Sequence, residues 1–458
     1  MAVPEETVKG KQIVILALVL LVLIGIISLI KHKETSHQDA AGILLDIPAA
    51  EIEKIELRQK DDRFIFSKKN SIWYLKEPLA AKADKVALEN ILDDFCPLKY
   101  DRLVEENARD LKSFGLDQPE MELKLFVEGM TTPAPTILLG MKNNLDSSSY
   151  AKLASSGKVV LIAAYKRNDL KKNLLAFRDK KILEFDSLAV TALEYNYKNT
   201  VFRFGKKDNQ WFMEKPVFSL TQEAKINDIL SGASLLEAKA FMGPATPDSR
   251  RAFGLETPLF TAVFKLAAGA KKITLGKKGE RYYALVDGFN EICEIDKNFC
   301  EKFSLASADF REKKVAPFCA FDVRGLQFQS GSFGFTIKKN IANAWELLKP
   351  QREIKLNEEK INQLLTALAD CEAREFVDNP KGAPEFVTLI DLQVENSRHP
   401  GQLENIELDF ASAKADTVSV RNPSLPYWFK VDKEILGKLP KRIADISAVL
   451  AGKDAGEN

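Results

Sequence analysis

Three features of this chain point to an α+β protein: an N-terminal transmembrane helix, then three tandem modules of antiparallel sheet with packed helices. The first is a phrase that occurs three times, a tryptophan followed after four residues by a proline. It runs from Trp73 to Pro78, from Trp211 to Pro216 and from Trp345 to Pro350, at intervals of about 135 residues. The second is the flanking pattern. Apolar residues alternate with period two before each phrase, as half-buried strands require, and recur with helical period after it. The third is the run Ile13 to Ile30, in which only Gly25 and Ser28 fall outside the strongly apolar set.

As a helix the run would cover about 27 Å, enough for the hydrocarbon core of a bilayer. Lys9 and Lys11 flank it on one side and Lys31, His32 and Lys33 on the other, where long cationic side chains can reach the interface. No small-residue cleavage site closes it, so an uncleaved anchor is expected. A short tail, one span and a large following domain predict a single-pass protein of the bacterial inner membrane, its bulk in the periplasm. The expected organisation is a tail (1–12), the anchor (13–30), a linker (31–50), modules at 51–187, 188–322 and 323–450, and a final tail (451–458).

Module one opens with Ile52–Leu57, which alternates as a strand does, and continues through Arg63–Phe66 and Ile72–Tyr74 as a meander. After Pro78, a helical pattern from Ala83 sets Val86, Leu88, Ile91, Leu92 and Phe95 on one face, and Pro97 stops it. The phrase Phe114-Gly115-Leu116-Asp117-Gln118-Pro119 returns in module two as Phe253-Gly254-Leu255-Glu256-Thr257-Pro258. Gly115 and Gly254 suit a positive φ that ends a short helix, and Pro119 and Pro258 prevent its continuation. Strands are expected at 121–128, 136–139, 149–153 and 159–163, with counterparts in module two at 281–286 and 291–295. Leu139-Gly140 is matched by Leu275-Gly276. Each of these modules closes with a helix and a basic tag, Phe177-Arg178-Asp179-Lys180-Lys181 and Phe310-Arg311-Glu312-Lys313-Lys314.

Module three keeps the strands, the tryptophan phrase, a helix at Glu358–Ala369 and a last strand at Tyr427–Val431. It has Asn379–Pro384 in place of the Phe-Gly-Leu turn. Terminal repeats diverge where no neighbour covers one face. The three tryptophans are expected in the cores, where each supplies a large apolar surface. The tags admit two readings. Their cations can cap a helix C-terminus, or Arg178, Lys180, Lys181, Arg311, Lys313 and Lys314 can form a basic edge for an acidic partner or lipid headgroups.

Composition excludes several kinds of work. With 66 basic against 65 acidic residues, the chain has no field to hold a polyanion, so nucleic acid is not an expected partner. Five cysteines, Cys96, Cys293, Cys300, Cys319 and Cys371, include no CxxC. They read as buried thiols, with a Cys293–Cys300 pair left open. The three histidines, His32, His37 and His399, show no metal-ligand spacing, and no phosphate-binding loop occurs. Neither a cofactor nor a metal is expected. A hydrolase would have to be built on His399, in a polar loop without a nucleophile elbow.

An N-terminal anchor followed by Trp-x4-Pro, Phe-Gly-Leu-Asp/Glu-x-Pro, Leu-Gly and Phe-Arg-Asp/Glu-Lys-Lys, in that order, resembles a bacterial family catalogued as domain of unknown function 4340. The likeness covers nearly all of residues 50–440, as two full copies and a degenerate third. Members are often encoded beside gliding-motility-type ABC transporter components. The resemblance therefore implies an envelope protein that works with subunits of such a transporter, and it brings no catalytic residues. The expectation is a non-catalytic accessory or scaffold. A periplasmic glycan- or lipid-binding module, suggested by Tyr427-Trp428-Phe429, is the alternative.

Overall fold

The computed structural model describes residues 41–382, 384–396 and 401–448, together with Leu23. Apart from Leu23, the predicted anchor lies outside this range, as does the final tail. Among the described residues no helix is long and apolar enough to cross a membrane. The chain divides into two compact units, one ending at Lys180 and the other beginning at Lys181. The first carries one large sheet, the second two.

Burial alternates along the central strands, such as Met121–Val127 and Phe260–Leu266, which makes them one-sided. In the first unit the sheet order is Ala81–Lys82, Ile72–Glu77, Asp62–Lys69, Ile52–Gln59, Met121–Val127, Ile137–Lys142, Ser149–Leu153, Val159–Ile162 and Arg102–Glu105. The second sheet repeats it as Ser219–Leu220, Gln210–Lys215, Thr200–Lys207, Val190–Tyr197, Phe260–Leu266, Gly269–Lys278, Arg281–Val286, Glu291–Ile295 and Ala240–Pro244. The third keeps that topology with eight strands: Trp345–Lys349, Phe333–Lys339, Val323–Ser330, Phe386–Glu395, Leu403–Ala411, Thr417–Arg421, Trp428–Asp432 and Ala373–Val377. All the pairings are antiparallel.

The main helix of each module follows the tryptophan phrase. Lys85–Phe95 buries Ala87, Leu88, Ile91, Leu92 and Phe95, and the Asp84 carboxylate caps it by accepting the Ala87 N–H at 2.7 Å. Val86, expected on the apolar face, is instead 63% exposed. It lies one position away from the stripe that the other residues define. Glu223–Ser234 and Glu358–Ala369 repeat the helix, the latter capped by Asn357. Trp73, Trp211 and Trp345 are buried in the three cores, as expected. Each has a cross-strand lysine over its ring: Lys68 and Lys206 at 5.9 Å and Lys339 at 5.3 Å from the centroid. The proline ending each phrase follows a cis peptide bond.

The Phe-Gly-Leu and Leu-Gly phrases are two halves of one contact. Gly115 and Gly254 have φ of 62° and 71°, where only glycine sits without strain. The turn lies so close to the neighbouring strand that a Cβ at Gly276 would stand 2.6 Å from the Phe253 carbonyl oxygen, and one at Gly140 would overlap that of Phe114. The turn phenylalanine packs on a tyrosine two strands along, Phe114 on Tyr150 at 5.0 Å and Phe253 on Tyr283 at 4.6 Å between centroids. In the third sheet the strand Leu403–Ala411 contains no glycine, so both halves are lost together.

One further correction concerns the linker. Within residues 31–50, Gly42–Leu45 is a strand paired with Leu98–Tyr100.

The close turn contact generates a prediction. Gly276→Ala should cost about 1–3 kcal/mol, the usual penalty of an overpacked contact, while Gly437→Ala, in the short helix Ile435–Lys438 with nothing within 4 Å of its added methyl, should cost nothing and stabilise by up to about 1 kcal/mol. Calorimetric unfolding of the two variants checks this. Equal melting temperatures would refute the docking role of Gly276.

Candidate functional site

The repeat signature converges on the segment Phe310 to Ala316, the tag of module two. Phe310 is fully buried between Phe202 and Phe204, with centroids 5.9 and 5.0 Å away. This anchors the segment to the second sheet. Backbone pairing extends the anchor. The Gln222 N–H donates to the Phe310 carbonyl at 2.8 Å, the Glu312 N–H donates to Leu220 at 2.9 Å, and Thr221 faces Arg311 in a β-bridge.

Two residues later the same segment pairs with the third sheet's elements. The Val315 N–H donates to the Cys371 carbonyl at 3.0 Å, the Ala373 N–H donates to Lys313 at 2.8 Å, and Lys314 bridges Glu372. Asn422 closes the join by donating its side-chain N–H to the Val315 carbonyl at 3.1 Å. Residues 310–316 are therefore a stitch, bonded to one sheet at its start and to the next at its end.

Arg311 locks the stitch. Its guanidinium donates to both carboxylate oxygens of Asp378, at 2.9 and 2.8 Å. It lies 3.7 Å from the Phe376 ring centroid and 4.9 Å from that of Tyr427. Only 5% of Arg311 remains exposed. The planar fork matches a carboxylate bidentately and stacks on ring faces, which a lysine cannot do. The Tyr427 hydroxyl in turn accepts the Leu220 N–H at 3.1 Å, a bond from third-sheet side chain to second-sheet backbone. Burial pushes the Tyr427 phenol up to about 12, so it stays neutral.

The same backbone pairings recur within each unit. In the first unit Ala83 bridges Arg178, the Asp84 N–H donates to Phe177, and the Asp179 N–H donates to Lys82. Phe177 packs on Phe64 and Phe66 at 5.0 and 5.3 Å. In the second unit Lys181 bridges Glu237 and the Ile182 N–H donates to Leu236. In module three Ile446-Ser447-Ala448 takes the place of the tag. Ser447 bridges Leu356, the Asn357 N–H donates to Ile446, and the Ala448 N–H donates to Lys355. Backbone pairing survives there without an arginine.

The predicted partner contacts are thus redistributed. Arg178 and Arg311 are buried, so neither stands on a free basic edge, and Arg311 reaches Asp378 instead of capping the carbonyls of its own short helix. Lys180 and Lys314 are half-buried, the latter 3.5 Å from Asp370, while Lys181 and Lys313 are exposed. Of Tyr427-Trp428-Phe429, offered as a ligand platform, Tyr427 and Phe429 are core residues and Trp428 is half-buried against Phe386. His399 lies outside the described residues.

Beside the stitch, within the second unit, is a cleft of about 870 Å³. Among the described residues, its wall includes the carboxylates of Asp208, Glu223, Glu312, Asp322, Glu395 and Glu404 but no lysine or arginine. Several of these acids are already engaged: Glu395 pairs with Arg324, and Glu312 accepts the Lys314 N–H. Among the described residues no group of three or more His, Cys, Asp or Glu is placed to hold a metal ion. Cys319, on the cleft wall, is exposed.

Cys96, Cys300, Cys319 and Cys371 are free thiols, Cys293 is buried, and burial pushes Cys96 up to about 11 and Cys300 and Cys371 up to about 12. A thiol reacts as its thiolate. Maleimide should therefore modify Cys319 in the native protein and all five cysteines after denaturation, as counted by intact-mass spectrometry. Rapid native modification of a second cysteine would contradict the packing described.

Known proteins add little beyond family membership. No curated protein matches the chain in sequence. Among solved structures, it is similar to a DnaN sliding clamp (DNA polymerase III subunit beta) from Pseudomonas aeruginosa bound to griselimycin. That match has 9% identity and a TM-score of 0.13, over 84% of this chain and 92% of that one. A DNA polymerase III subunit beta from Borrelia burgdorferi in complex with a natural product matches at 9% identity and a TM-score of 0.14, over 85% and 93%. Likenesses this low carry no argument about fold or function. The family comparison is decisive: matched over residues 73–258 and 242–389, more than half of its length, the chain belongs to the family described as Domain of unknown function (DUF4340).

Proposed function

We propose that the chain is a non-catalytic accessory or scaffold protein of the bacterial envelope. In this reading, residues 13–30 anchor it in the inner membrane, and its periplasmic sheets work by contact with subunits of an ABC-type transporter complex. One observation carries the reading: the most repeated residues of the chain build architecture. The tryptophans fill cores, the paired glycines let a turn dock, and Arg311 locks one sheet to the next. A protein whose signature residues fix the relation between successive sheets is suited to holding position. The apolar run and its flanking lysines support the anchor. The family's association with transporter components supports the partner. The glycan- or lipid-binding alternative is weakened, because Tyr427 and Phe429 face the core, and it rests on Trp428, half-buried against Phe386.

Cys319 offers a native handle for the test. Thiol-directed crosslinking from it in intact cells, followed by mass spectrometry of the adducts, should recover subunits of an ATP-driven membrane transporter. Adducts with cytosolic proteins alone would overturn both the location and the partner.

A further inference from the structure

The strands Ile52–Gln59, Val190–Tyr197 and Val323–Ser330 hold the same place in the three sheets. Their fifth residues, Glu56, Glu194 and Gln327, lie on the face away from the core. Cross-strand register extends each into a row on that open face. The row reads Glu56–Lys124 in the first sheet and Arg203–Glu194–Val263–Lys272 in the second. In the third it reads Thr336–Gln327–Asp391–Glu407. The first two rows mix charges, and Glu56 lies 2.6 Å from Lys54 and Glu194 3.0 Å from Arg203. The third sets two carboxylates directly opposite each other, with no cation in the row.

Like charges in that register destabilise a sheet. The nearby acids Glu395 and Asp409 are paired, with Arg324 and Arg421. Among the described residues, Asp391 and Glu407 have no ion pair or hydrogen bond. An apolar shoulder adjoins them. Val387 and Leu389 precede Asp391 on its strand and are 37% and 43% exposed. Leu389 lies opposite Asp409, whose partner Arg421 stands 4.6 Å from the Phe386 ring. Phe386 packs on the half-buried Trp428 at 5.7 Å. The turn that docks on this side of the first two sheets, Phe114 on Tyr150 and Phe253 on Tyr283, has no Phe-Gly-Leu counterpart in the third. Opposed charges beside exposed apolar side chains give up stability, and such breaks of a local rule mark functional surfaces.

We propose that the open face of the third sheet docks a cationic, amphipathic segment of a partner protein. The apolar side chains of that segment lie on Val387, Leu389 and Trp428, and its lysines or arginines meet Asp391 and Glu407. Charge selects this occupant. A second copy placed face to face would set carboxylates against carboxylates, and anionic lipid headgroups would be repelled. The inference rests on the contact role proposed above and gives one contact its place and chemistry.

Photocrosslinking in intact cells, with p-benzoylphenylalanine in place of Gln327 in the full chain, tests it. Gln327 is exposed and lies opposite Asp391. The adduct should map to a partner peptide in which lysine or arginine flanks apolar residues. Glu407→Lys, which copies Lys272 of the second sheet, should cut the adduct yield by about fivefold, the effect of exchanging an exposed attraction for a repulsion. The same variant should raise the melting temperature of the purified chain by about 1–2 °C, because it relieves the opposed charges. That second readout separates a lost contact from a damaged sheet. No adduct, an adduct with lipid, a second copy or an acidic peptide, an undiminished yield in Glu407→Lys, or a melting temperature that does not rise would overturn the proposal. Transporter subunits still recovered from Cys319 in that event would leave the contact role standing and remove only this surface.

Discussion

A guanidinium removed from water costs several kcal/mol unless its protons find partners and its faces find rings. Arg311 meets most of this: its two terminal nitrogens donate to the two oxygens of Asp378, and Phe376 and Tyr427 lie against it, while its Nε–H is buried without a partner. Because Phe310 immediately before it belongs to the second core and Val315 shortly after it to the third, the arginine sits where the chain passes from one sheet to the next. Backbone pairing on both sides leaves this passage little freedom, and the side chain makes the pairing specific. The joining of two sheets into one compact unit rests on these few residues.

The same backbone device appears wherever a module begins or ends. Gly42–Leu45 pairs with Leu98–Tyr100 at the entrance to the first sheet, as Lys181 pairs with Glu237 and Lys314 with Glu372 at the next two. At the exit of the third, Ile446–Ala448 keeps the hydrogen bonds of the tag with a serine where the arginine would be. Backbone pairing is thus general to the repeat. The arginine occurs only where another module follows, as terminal repeats with one uncovered face would lead one to expect.

Local rules made much of this legible in the sequence. The helix Glu358–Ala369 stands where its period places it, and the tryptophans are buried because strand alternation and side-chain size both demand it. Contacts between residues far apart in the chain left no local trace. Arg311 looked like a surface cation because its partner Asp378 lies 67 residues away. Gly140 looked like a strand end because the carbonyl it accommodates belongs to Phe114. The edge strands Arg102–Glu105, Ala240–Pro244 and Ala373–Val377 were missed because short, partly exposed segments carry little alternation. The equivalence of Ser447 with Arg311 emerges only from the pairing partners, since the residues share no chemistry.

The central claim is that Arg311 and its partners make the second and third sheets one cooperative body. Differential scanning calorimetry of the full chain, in a double-mutant cycle of Arg311→Ala and Asp378→Ala, tests it most directly. The account predicts that the two sheets unfold together in the wild type and separate into two transitions in either single variant, with a coupling energy of about 1–3 kcal/mol between the sites. Unchanged joint unfolding in Arg311→Ala, or a coupling energy near zero, would contradict it.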